Sequence, residues 1–170
     1  MAIIRATQAD VPAIQSVANA TWPDTFKEIL NPDQITYMLN WMYSHEALSK
    51  NIADPNQSFW LFQQDGQTLG FAGIEHHYLK KNTTKLHKIY VLPETQGMQI
   101  GKQLILHVIQ EALNAGSQSL LLNVNRFNNA TGFYDKLGFT IIGEEDIAIG
   151  NGYLMEDYKM ELKIENLELS

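Results

Sequence analysis

"IYVLPETQGMQIGKQLI", residues Ile89–Ile105, sets an apolar strand-like run before a turn with two glycines and a lysine, and an amphipathic helix-like run after it. A helix starting near Gln99 directs its unpaired first-turn N–H groups and the positive end of its dipole back into that turn, while Gly97 and Gly101 permit close approach to the backbone. The arrangement suits an anion, and a diphosphate in particular, which needs several amide donors and no metal. The nucleotide-binding P-loop is a different turn, with four residues between its glycines and a magnesium-binding Ser or Thr after the lysine. Here only Met98, Gln99 and Ile100 separate Gly97 from Gly101, and Gln103 follows Lys102.

Working outward, Leu104, Ile105, Val108, Ile109, Ala112 and Leu113 share one helical face between Gln99 and Ala115, and Gly116 suits the left-handed position that ends the helix. "SLLLNV" (119–124) reads as a buried strand and "NNATGFYDKL" (128–137) as a helix closed by Gly138. "FTIIGEE" (139–145) and "GYLMEDYKMELKI" (152–164) read as late strands. Upstream, "SFWLFQQ" (58–64) and "QTLGFAGIEHHYL" (67–79) form strands joined by the tight-turn dipeptide Asp65-Gly66, and "TKLHKIYVL" (84–92) is a third. Near the start, Ile3 and Ile4 begin a strand. Thr7 with Asp10 resembles a capping box for a helix to about Ala20, with Pro12 in its first turn. "NPDQITYMLNWMYSHEALSKNI" (31–52) reads as a second helix, capped by Asn31 and striped by Ile35, Met38, Leu39, Met42 and Tyr43. The order is strand, two helices, three strands, helix, strand, helix, strands, without repeat or linker. One mixed α/β domain over residues 1–170 is expected.

Composition bounds the function. With 170 residues, 45% hydrophobic and 10% aromatic, the chain can bury a core unaided. The absence of cysteine excludes disulfides, thiolate catalysis and cysteine-based zinc sites. A formal charge of −7 with scattered Lys and Arg argues against a nucleic-acid-binding face, and an acidic surface attracts cationic substrates. "MAIIRATQADVP" has no signal-peptide core, and no apolar run approaches membrane-spanning length, so a cytoplasmic protein without membrane contact is expected. No metal site is read: His76 and His77 diverge as neighbours on a strand, and no carboxylate stands at ligand spacing.

The two stretches "IYVLPETQGMQIGKQLI" and "NRFNNATGFYDKLGF", in this order around a buried strand, resemble the GNAT superfamily of acetyl-CoA-dependent N-acetyltransferases. Gln96 and Gly101 match the pattern Gln or Arg, two residues, Gly, one residue, Gly or Ala. Asn128, Ala130, Phe133, Tyr134 and Gly138-Phe139 match the second signature. The pattern's first glycine is Gln99 here, a departure at the amide that the ligand approaches most closely in the family.

The resemblance implies a single-domain GNAT fold: a mixed, mostly antiparallel sheet with a splayed parallel strand pair, flanked by about four helices. It implies that "KIYVL" splays from "LLLNV" and that the pantetheine arm of acetyl-CoA lies in the gap. The implied contacts are the main chain of Ile89, Tyr90 and Val91 for the arm, the amides of Gln96, Gly97, Met98, Gln99, Ile100, Gly101 and Lys102 for the pyrophosphate, and the side chain of Asn128. Tyr134 is the implied general acid for the departing thiolate.

An alkyl amine of pKa about 10.4 is uncharged in only about one molecule in a thousand at pH 7, so its proton must be taken before it attacks the thioester. Glu75 is the candidate base, because superfamily members often use a carboxylate in this region. By strand alternation Glu75 shares a face with His77, and His87 stands in register with Ile89 on the next strand. His77, His87 and water alone stay open as alternatives. In the family the first two helices and last strands wall the acceptor site, which nominates Trp22, Phe26, Tyr37 and Trp41.

The expected partners are acetyl-CoA and a small primary amine, with a homodimer left open. The segments 31–52 and 152–162 resemble, more loosely, bacterial spermidine/spermine acetyltransferases, which points to a polyamine. A peptide N-terminus or lysine is the alternative acceptor, and a non-catalytic acyl-CoA sensor the alternative of another class.

Overall fold

The Asp65-Gly66 hairpin is present: β2 (Gln57–Gln64) pairs antiparallel with β3 (Gln67–Glu75), Gln64 lies opposite Gln67, and both turn residues have positive φ, at 53° and 76°. Such a turn matches the right-handed twist of the strands it joins. The computed structural model describes residues 1–165 and 167, so the end of the expected 1–170 domain lies outside the described residues. The remaining strands are β1 (Ala2–Arg5), β4 (Thr83–Val91), β5 (Ser119–Asn125), β6 (Thr140–Gly150) and β7 (Tyr153–Lys163). They form one seven-stranded sheet in the order β1-β2-β3-β4-β5-β7-β6. Every neighbouring pair is antiparallel except β4 and β5. A parallel pair needs a crossover, which α4 (Ile100–Asn114) supplies.

β3 is buried without interruption from Leu69 to Ile74, as befits a central strand covered on both faces. α1 (Val11–Phe26) packs on β3 and β4, α4 on β2 to β5, and α3 (His45–Ala53) on β2. α4 turns Leu104, Ile105, Val108, Ile109 and Ala112 into the core, the face its periodicity predicts. Gly116 and Gly138, at φ 81° and 100°, end α4 and α5 (Ala130–Lys136) in the left-handed conformation that glycine adopts without strain.

The structure departs from the sequence reading in four places. α1 runs past Ala20 to Phe26 with Pro23 inside it, because Thr21, Trp22 and Phe26 continue the buried stripe of Val11, Ile14, Val17 and Ala18. That burial outweighs the hydrogen bond a proline removes. The single helix expected over 31–52 is two, α2 (Pro32–Met42) and α3: Tyr43 leaves helical geometry and the Ser44 hydroxyl accepts the Ala47 N–H at 3.1 Å, starting a new helix. Five α-helices therefore flank the sheet among the described residues. β3 stops at Glu75, since His77, Leu79 and Lys80 take positive φ. Finally, β6 extends to Gly150 and joins β7 through Asn151-Gly152, making a long hairpin whose far end rests on α2. There Tyr37 donates to the Ile149 carbonyl at 2.7 Å and Gln34 to that of Leu154 at 3.2 Å.

Candidate active site

The parallel pair holds for only four rungs, Thr83 with Ser119 through Leu86 with Leu122. Its cause lies on the other side of β4. Ile74 pairs with Leu86 but Gly73 pairs with Lys88, so His87 is an extra residue, and a bulge of this kind bends its strand. Beyond it Ile89, Tyr90 and Val91 keep their partners on β3 and have none on β5, which pairs only with β7 from Asn123 to Asn125. The strands part, and backbone donors and acceptors of β4 face the gap.

A cavity of about 1020 Å³ fills this gap. Of the residues nominated by sequence, Ile89, Tyr90, Val91, Gln96, Gly97, Gln99, Ile100, Gly101, Lys102, Asn128 and Tyr134 line it. Met98 does not; its side chain points outward and is 44% exposed. At the turn, the N–H groups of Gln96 and Met98 bond back to the carbonyls of Pro93 and Thr95, whereas those of Gly97, Gln99, Ile100, Gly101 and Lys102 find no acceptor among the described residues. Five free amides at the start of a helix are an arrangement that suits an anion.

Gln99 adopts φ 58°, the left-handed conformation that glycine takes without strain. Gln99→Gly is therefore expected to leave CoA affinity equal or tighter and to raise stability by up to about 1 kcal/mol. Calorimetric titration and thermal melting check both, and a large loss of CoA affinity would assign the glutamine side chain a direct role.

Asn128 spends its side-chain oxygen on the Ala130 N–H at 2.9 Å, closing a tight turn into α5, which leaves its amide donors free. Tyr134, on α5, is buried between Phe133 and Phe139 at ring separations of 5.2 and 5.6 Å. Burial pushes its phenol well above the ordinary value, so at neutral pH it carries its proton and can only donate it.

Glu75 does not line this cavity. It lies in an adjoining one of about 260 Å³ and meets the main cavity through His87, whose Nε2 is 2.9 Å from Glu75 Oε1. A carboxylate only accepts, so Nε2 carries the hydrogen and Nδ1 is left as the basic nitrogen. Burial lowers the His87 pKa, against a rise from the bond to Glu75, so the ring is neutral at pH 7. Two alternation arguments fail here: His77 is off the strand at φ 54°, and the bulge at His87 breaks its register with Ile89. His76 is bonded to Thr84 at 2.9 Å.

On the acceptor side Trp22, Phe26 and Trp41 line the cavity with Met38, Ile147 and Met155, but Tyr37 is committed to Ile149. Sequence reasoning missed a polar cluster on the cavity wall. Lys85 donates to the Asn123 side-chain oxygen, and Asn123 Nδ2 donates to Asp157 Oδ2 at 3.3 Å and Glu145 Oε2 at 3.5 Å. These residues come from four strands, and no periodicity along one strand announces their meeting.

Comparison with known proteins decides the family. The model of the acetyltransferase (GNAT) domain matches residues 23–162. This chain belongs to the GNAT acetyltransferase family. Among its GNAT relatives, the 5-NmdU N-acetyltransferase of Pseudomonas phage PaMx11 is 33% identical over 132 residues, covering 75% of this chain and 89% of the relative. The spermidine N(1)-acetyltransferase of Thermoplasma acidophilum is 26% identical over 152 residues, covering 86% and 90%. The crystal structure of PaiA N-acetyltransferase from Thermoplasma acidophilum, in complex with coenzyme A, superposes with a TM-score of 0.81 at 26% identity, covering 96% of this chain and 99% of that one. The chain is thus an acyltransferase with the GNAT sheet, and acetyl-CoA is the acetyl donor of the family. No helix among the described residues is long and apolar enough to cross a membrane.

Proposed function

We propose that residues 1–170 act as one domain that transfers acetyl from acetyl-CoA directly to a primary alkyl amine, with polyamines among the acceptors. The observation that carries this reading is the continuity of one cavity from five free amides, along the unpaired edge of β4, to the Tyr134 phenol and then to an acidic, aromatic-walled end. The amides of Gly97 and Gln99–Lys102 hold the pyrophosphate, with Lys102 adding charge. The main chain of Ile89, Tyr90 and Val91 pairs with the amide-bearing pantetheine arm as a missing strand would, and Asn128 donates to it.

Protons then have to move in opposite directions. Glu75 acts through His87: the carboxylate fixes the ring, and Nδ1 takes the ammonium proton of the acceptor before the nitrogen attacks the thioester carbon. As the new C–N bond forms and the C–S bond breaks, Tyr134 gives its proton to the sulfur and regains one from the nitrogen. Spermidine acetylation by a relative 26% identical supports an amine acceptor, as do two carboxylates on the cavity wall. All cavity residues come from one chain, so the reading holds equally for a monomer and a homodimer.

The test is a panel of polyamines, monoamines, aminoglycosides, amino acids and peptides incubated with acetyl-CoA while free thiol is followed. Thiol release above hydrolysis with an alkyl amine is expected; faster release with a peptide N-terminus or lysine would move the acceptor class, and none with any amine would favour an acyl-CoA sensor.

A further inference from the structure

Asp157 is a buried carboxylate in the cavity wall. It is 6% exposed, and its Oδ1 has no hydrogen-bond partner among the described residues. Its Oδ2 has the neutral amide of Asn123. No lysine or arginine lies within ion-pair distance among the described residues. Arg126 reaches only the Asp157 backbone carbonyl, at 3.4 Å, and its guanidinium is engaged by Asp146 at 2.8 Å, Glu144 at 3.7 Å and Glu156 at 3.8 Å. Lys85, on β4, is turned to the Asn123 oxygen. Glu145, opposite Asp157 on β6, adds a second negative charge, and Lys85 and Arg126 act on Asp157 only from a distance. A buried carboxylate without a cation is normally removed or paired, because desolvation costs more than a lone amide returns.

The surroundings specify the missing partner. Asn123 lies just beyond Leu122, the last residue of β5 paired with β4, where the gap begins, and Asp157 stands opposite Asn125 further along it. Trp22, Phe26 and Trp41 line the same cavity with aromatic rings, which favour a cation, while the Tyr78 ring already carries the Lys85 ammonium at 5.2 Å. We propose that Asp157, backed by Glu145, is the docking carboxylate for the positively charged nitrogen of the acceptor, which makes alkyl ammonium compounds, rather than amines neutral at pH 7, the substrates of this chain. This rests on the acetyltransferase reading above and assigns Asp157 to recognition, leaving proton removal to His87. Burial raises the Asp157 pKa, against the lowering from Asn123, Lys85 and Arg126, and an arriving ammonium would act in the lowering direction, favouring the carboxylate.

The experiment separates binding from turnover. Butylamine, 1,4-diaminobutane and aniline, the last neutral at pH 7, are titrated calorimetrically into the protein saturated with CoA, which cannot react. Both cations are expected to bind, and Asp157→Asn to weaken them by about 30-fold or more, with aniline binding or failing to bind equally in the two proteins. The variant should keep its CoA affinity and melt at the same or a higher temperature, since it removes an uncompensated buried charge; a merely structural aspartate would melt lower. Should Asp157→Asn not fold, Glu145→Gln carries the test with a several-fold weakening of both cations. Equal affinities in wild type and variant, or no binding of either cation by wild type, overturn the proposal. Cation binding without thiol release from acetyl-CoA would leave it standing and sink the transferase reading instead.

Discussion

Tyr134→Phe lowers kcat by about 100-fold or more, the lower end of what a positioned general acid contributes, while CoA binds as before. The phenol hydroxyl bonds to nothing among the described residues, so its removal leaves no orphaned partner in the fold. The ring itself is wedged between Phe133 and Phe139, and phenylalanine keeps both contacts. A loss confined to kcat separates a proton donor from a packing residue, whose loss would lower the melting temperature. A thiol such as CoA leaves more readily protonated, and a phenol held protonated by burial is suited to that one step. Thiol release followed with saturating acetyl-CoA is the measurement. Wild-type rates in Tyr134→Phe would remove Tyr134 from the chemistry, and absent turnover in both proteins would favour the sensor.

His87→Gln is the second large effect, with kcat down by about 100-fold and the pH profile changed in shape. In the wild type, kcat falls as His87 gains a proton, at a pH below the ordinary histidine value of 6.5 because burial lowers its pKa. The groups facing it are Glu75 from β3 and Lys85, Lys88 and the Tyr78 ring around β4. The two lysines reinforce the lowering and Glu75 opposes it. Burial also brings Lys88 down to about 8, so its charge is largely retained at pH 7 and shed above that. Glu75→Gln removes the opposing influence, so the acid limb moves to lower pH as kcat falls. An acid limb that survives in His87→Gln would assign the proton to another group, with Asp157 the first to examine.

The family motifs were legible because they are local. "QGMQIG" and "NNATGFYDKLGF" carry their geometry in glycines, caps and helix starts within a few residues of each other, and the cavity wall they form contains all but Met98 of the nominated cofactor residues. Met98 drops out because its N–H is bonded to the Thr95 carbonyl and its side chain points to solvent. Glu75 was named without His87 as its intermediary, since the one-residue bulge that brings them together is a property of two paired strands. The split between α2 and α3 was written in Ser44, yet the apolar stripe on either side of it is equally good as a single helix. Tyr37 was placed in the acceptor wall on its aromatic character, whereas a carbonyl 112 residues away claims its hydroxyl.

By itself the sequence determined the order of elements, the hairpin at Asp65-Gly66, the amide-rich turn before α4 and the family whose chemistry that turn serves. These depend on backbone preferences and hydrophobic periodicity, which act over one or two turns of chain. The tertiary structure alone decided that β4 leaves β5 after Leu86, that His87 rather than Glu75 faces the main cavity, and that Lys85, Asn123, Glu145 and Asp157 meet on one wall. Each of these follows from strand register. A single inserted residue changes which side chains become neighbours across the sheet, and nothing within one strand records its partner's register.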